Sequence, residues 1–129
     1  MTPIVFINCR RVPFVDQIVN LLKLYETRSR NTLGKLIGMR ILIAETGHGK
    51  PVVKCSAVIR SIIAVYTPEA YEKYRSGTCV PVDSDYDWKP NTKVKYLYEL
   101  ADVHQVEPFI PPEGIRHGYV WMEYYGKEV

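Results

Sequence analysis

Lys23-Leu24-Tyr25-Glu26-Thr27-Arg28-Ser29-Arg30 gathers three cations and one carboxylate between two apolar stretches. In an extended chain, side chains two apart share a face. Glu26, Arg28 and Arg30 are therefore expected on one side of a strand and Tyr25, Thr27 and Ser29 on the other, with Lys23 entering from the preceding turn.

Upstream, Ile4-Val5-Phe6-Ile7 reads as a buried strand that ends in the basic pair Arg10-Arg11. Behind Pro13, the residues Phe14, Ile18, Leu21 and Leu22 recur at helical spacing, which predicts an amphipathic helix over 13–22 with one face on the core. Downstream, Met39 to Glu45 is a second apolar strand. Thr46-Gly47-His48-Gly49-Lys50-Pro51 then supplies the glycines of a hairpin turn. It is not a phosphate-binding P-loop, because Ala44 holds the first glycine position and Pro51 follows the lysine.

Pro51 to Tyr66 is a long alternating segment with a bend expected at Arg60-Ser61. Thr67-Pro68-Glu69 carries a hydroxyl cap, a first-turn proline and an early acid, so a helix starts there, and Gly77 is expected to close it. The aspartates of Asp83-Ser84-Asp85-Tyr86-Asp87 lack the glycine and closing acid of a calcium loop and read as a solvated turn. Lys93 to Ala101 alternates as a half-buried strand with Val94, Tyr96, Tyr98 and Leu100 on one face. Pro108 to Pro112 reads as an extended connector, Arg116-His117 as a loop between Gly114 and Gly118, and Tyr119 to Tyr125 as the last strand.

The chain of 129 residues, 47% hydrophobic and 24% charged, matches a soluble globular chain forming a single domain over 1–129. It shows neither a membrane span nor a leader, so a cytoplasmic location without membrane attachment is expected. Cys9, Cys55 and Cys79 form no Cys-x-x-Cys pair and read as reduced thiols, which leaves neither a disulfide framework nor a metal site, and no cofactor is implied. The first 40 residues carry seven cations against Asp16 and Glu26, while the remainder is net acidic. That polarity steers an anionic partner to one face. Two helices among many short strands point to an α+β fold, a small barrel of about five to seven mostly antiparallel strands with the helices covering its ends.

Lys23-x-x-Glu26-x-Arg28 resembles the signature of the ASCH family, small domains of the PUA-like β-barrel group, in which Gly-x-Lys-x-x-Glu-x-Arg follows an amphipathic helix. Leu21 stands at the glycine position, which suggests a helix one turn longer. The order of elements is similar over most of the chain. The resemblance implies a cleft lined by Lys23, Glu26 and Arg28 that binds RNA or a nucleoside or nucleotide ligand. Some relatives remove the acetyl group from N4-acetylcytidine with the lysine, a threonine where this chain has Glu26, and a later glutamate. Thr27 is expected to face away, and Glu69, Glu72, Asp83, Asp85 and Asp87 are the candidates for the later acid.

Two functions follow from these expectations. As a binding module, Lys23 and Glu26 hydrogen-bond a base, Arg28, Arg30, Arg10 and Arg11 receive phosphates, and Trp88 or a tyrosine stacks on the base. As an amidohydrolase acting on an acylated nucleoside, Lys23 and Glu26 are the catalytic pair. An interaction protein whose tyrosines serve a partner surface ranks third. The sequence leaves the ligand and the oligomeric state open.

Overall fold

In the computed structural model, which describes residues 1–126, the apolar run near the N-terminus forms β1 (Thr2–Asn8). Both of its faces are covered: Val5 and Ile7 join one apolar cluster, Ile4 and Phe6 another. The helix that follows, α1 (Phe14–Val19), packs Phe14, Val15 and Ile18 onto the sheet. It is shorter than expected. Leu21 and Leu22, predicted on its buried face, are 64% and 61% exposed.

The charged stretch supplies β2 (Tyr25–Arg28). A 3-10 turn at Gly34–Leu36 leads to β3 (Arg40–Thr46), and the glycine turn connects it to β4 (Val52–Val65), with Glu45 opposite Val52. The expected bend in β4 is a register shift between Ile59 and Ser61. Helix α2 (Pro68–Glu72) begins as predicted, the Thr67 hydroxyl accepting the Ala70 N–H at 3.1 Å. A separate α3 (Arg75–Thr78) follows, so Gly77 lies inside a helix and Cys79, at φ 58°, makes the left-handed exit.

Strand β5 (Lys95–Phe109) is longer than its alternation indicated. Pro108, expected in a connector, belongs to it, in a stretch where the register with β4 shifts and the ladder asks for no N–H. Arg116 and His117, read as a loop, lie in β6 (Ile115–His117), which pairs with β7 (Trp121–Tyr124).

These strands form one sheet in the order β2-β5-β4-β3-β1-β7-β6. Only β1 and β3 run parallel; the other pairs are antiparallel. The expectation of mostly antiparallel strands holds; closure of the sheet into the expected barrel is not seen among the described residues, and the two expected helices are three. Among the described residues, no backbone ladder joins the edge strands β2 and β6 into a ring, and three short helices are present. The edge strands are short, with four and three residues. Among the described residues, no helix is long and apolar enough to cross a membrane.

Candidate functional site

The route from α1 into β2 decides where Lys23 points. The N–H groups of Leu22 and Lys23 both donate to the Gln17 carbonyl, at 2.8 and 3.1 Å. Leu21 makes the turn at φ 60°, in the left-handed region that favours glycine. This is the position where the resembled signature has glycine, the residue that such a conformation favours. The turn leaves Leu21 and Leu22 in solvent and drops Lys23 inward to 2% exposure.

There the Lys23 ammonium donates to the Thr78 carbonyl at 2.5 Å and lies 3.7 Å from Glu26 Oε1 and 4.3 Å above the Phe14 ring. Burial holds its pKa below the ordinary amine value of 10.5, with Glu26 pulling the other way and Arg28 adding to the lowering. Glu26 is held from its other side by Arg28, whose Nε donates to Oε2 at 3.1 Å and whose Nη2 lies 2.9 Å from the same oxygen. Arg28 Nη2 also donates to the Phe6 carbonyl at 2.9 Å. The predicted trio is therefore one mostly buried ion cluster, two cations about one carboxylate, in which losing Glu26 leaves both cations without their counter-charge.

This cluster floors a cleft of about 600 Å³ between the C-terminal end of β1 and β2, where the sheet stays open. Its walls add groups that the sequence reading did not assign: Phe6, Phe14 and Tyr86, the buried Lys95, and Arg116 with Tyr119 from the β6–β7 hairpin. Phe14 and Tyr86 meet edge to face at 5.3 Å, and the Arg116 guanidinium lies 4.6 Å from the Phe6 ring centre. Nothing in local patterning marks these residues as cleft-lining. Lys95 falls on a parity that looks solvated, and Arg116 and Tyr119 come from the opposite edge of the sheet.

The other predicted residues lie outside the cleft lining. Arg30 is exposed beyond the end of β2. Arg10 and Arg11 are exposed near the rim, Arg11 reaching Asp85 at 3.5 Å. Trp88 is elsewhere, 6.0 Å from Tyr71 and lining a separate depression with Glu69, Glu72 and Arg75. Of the acids considered as a later partner for Lys23, Asp85 alone lines the cleft. Asp87, read as part of a solvated loop, is buried: it accepts from Arg75 Nη2 and the Trp88 N–H through Oδ1, and from the Asp83 N–H through Oδ2. Thr27, expected to face away, stands opposite Leu97 in the ladder and nevertheless belongs to the cleft lining, next to Ser29. Among the described residues, no group of His, Cys, Asp and Glu side chains could hold a metal ion.

No family model matches the sequence, and no curated protein matches it. Solved structures do. A crystal structure of a single-site mutant of ZmASCH from Zymomonas mobilis superposes with a TM-score of 0.70 at 21% identity, covering 84% of this chain and 73% of that one. The structure titled ASCH from Zymomonas mobilis gives 0.68 at 18% identity over the same shares. A second ZmASCH mutant gives 0.70 at 20% identity, covering 84% of this chain and 75% of that one. At such identities the likeness is one of architecture, and on that ground this chain has the ASCH fold.

Proposed function

We propose that the cleft between β1 and β2 binds RNA or a nucleotide. One observation carries this reading: Lys23, Arg28, Lys95 and Arg116 converge on the same cleft, where Glu26 and Asp85 are the acids and aromatic rings form the walls. A flat heterocycle attached to a phosphate satisfies both features, through stacking on the rings and charge neutralisation by the cations. The volume falls within the range of small-molecule sites. Glu26 and Lys23 present an acceptor and a donor side by side, suited to the polar edge of a base.

Amide hydrolysis of an acylated nucleoside is the second reading, and the buried Lys23 beside Glu26 supports it. Against it stands the engagement of both Glu26 oxygens by Arg28 and Lys23, which already occupy the carboxylate that would have to face a water. Fluorescence anisotropy with short labelled single-stranded RNA tests the first reading. Binding at low salt should fall steeply as salt rises and weaken in Arg116→Ala, an exposed position that leaves the core intact. No binding at low salt by the folded protein overturns it. Chromatography of N4-acetylcytidine after incubation tests the second, and an absence of turnover removes that substrate.

A further inference from the structure

Three of the cations in and around the cleft are already matched. Arg28 is held by Glu26 and the Phe6 carbonyl, Lys23 by Glu26 and the Thr78 carbonyl, and Arg11 by Asp85. Lys95 is different. It is 7% exposed, yet its ammonium contacts only the Ser29 hydroxyl at 3.4 Å and the Tyr86 carbonyl at 3.2 Å. No carboxylate among the described residues lies within ion-pair distance of it. The acid that acts on it most, Asp87, has its oxygens taken by Arg75 and two backbone N–H groups, and Lys89 adds further positive potential.

A buried ammonium without a counter-ion is costly to the free protein. Here the desolvation is large enough to hold its pKa below the ordinary 10.5. Side chains that only serve packing do not need that charge. Lys95 lines the cleft beside Ser29, and Arg116, across the same cleft, rests on Phe6 with no carboxylate partner among the described residues.

We propose that Lys95, with the Ser29 hydroxyl beside it and Arg116 across the cleft, forms an anion subsite that takes the phosphate group of the ligand. The nucleotide part rests on the function proposed above; the phosphate subsite is tested separately. The cleft then prefers a nucleoside monophosphate, or an RNA phosphodiester, over the uncharged nucleoside.

The test uses inorganic phosphate first, read by the thermal midpoint of the intact protein at constant ionic strength, with chloride as control. Phosphate should raise the midpoint of wild type and leave that of Lys95→Met unchanged, while Lys95→Arg retains the shift. Without phosphate, Lys95→Met should melt at or above the wild-type temperature, because an unmatched buried charge has been removed. A structural role predicts the reverse. Equal phosphate shifts in wild type and Lys95→Met, or none in wild type, overturn the subsite. Should Lys95→Met fail to fold, lysine ammonium NMR on wild type, with Lys95 assigned through Lys95→Arg, reads the same site: a Lys95 signal unmoved by phosphate overturns it.

Calorimetry with the four ribonucleosides, their 5′-monophosphates and dinucleotides forms the second arm. Monophosphates should bind at least about tenfold tighter than nucleosides, and the ratio should fall to within about twofold in Lys95→Met, with one fewer phosphate contact in the salt dependence. Dinucleotides binding tighter than monophosphates identify RNA as the source of the phosphate; the reverse identifies a free nucleotide. If inorganic phosphate binds through Lys95 but no nucleoside, monophosphate or dinucleotide binds, the nucleotide reading fails and the anion subsite stands.

Discussion

Arg28 donates to the Phe6 backbone carbonyl at 2.9 Å, across a gap between β2 and β1 that no backbone ladder spans among the described residues. The same guanidinium holds Glu26. One side chain thus ties β2 to β1 and sets the charge of the cleft floor, so fold and site depend on each other at this point.

Arg28→Ala should destabilise the protein by about 2–4 kcal/mol, somewhat below the range for breaking a fully buried pair because the arginine is partly exposed. Urea unfolding measures this. Glu26→Gln added to Arg28→Ala should cost less than it does alone, since it then strands one cation, Lys23, rather than both Lys23 and Arg28. Strictly additive costs would show that the two residues do not act as a unit.

Leu21 holds φ 60° in a turn that buries none of its side chain to advantage. Leu21→Gly should therefore stabilise by about 0.5–1 kcal/mol, the relief of left-handed strain exceeding the backbone entropy that glycine loses. Leu21→Val should destabilise, because branching at Cβ raises the same strain. The urea midpoints of the two variants should move in opposite directions.

Lys23 carries a pH signature with a definite sign. Its folded pKa lies below the unfolded value of 10.5, so the unfolded state binds more protons between the two. The penalty for burying the charged form is present below the folded pKa and is relieved as pH rises towards 10.5. The stability of wild type relative to Lys23→Met should accordingly improve with rising pH over that window. Paired urea titrations at increasing pH check this, and a wild-type-minus-variant stability that stays constant or falls as pH rises refutes the assignment.

Tyr86 and Trp88 separate binding from packing. Tyr86 lines the cleft, whereas Trp88 packs against Tyr71 outside it. Tyr86→Leu should weaken RNA binding by about 1–3 kcal/mol, the range for loss of a stacked base. Trp88→Leu should lower the melting temperature while leaving the affinity of the folded protein unchanged. Anisotropy and thermal melting on both variants distinguish the two roles, and a loss of affinity in Trp88→Leu would place Trp88 at the ligand.

Short-range chemistry was legible in the chain itself. The Thr67 cap, the turn joining β3 to β4 and the burial of Ile4 to Ile7 each depend on a few consecutive residues, and each appears as read. The same holds for Lys23, Glu26 and Arg28, whose mutual contact follows from a turn and a short strand. The tertiary structure alone decided the rest of the cleft. Periodicity reports which side chains share a face and says nothing of which distant segment covers it. Lys95 shares a parity with charged neighbours and looks solvated, yet the chain around Tyr86 closes over it and Ser29, 66 positions away, reaches it. Leu97, on that same parity, is completely buried under α2. Likewise Arg116 and Tyr119, from the hairpin at the far edge of the sheet, line the same cleft as the β2 residues, a long-range approach that no local pattern of residues encodes.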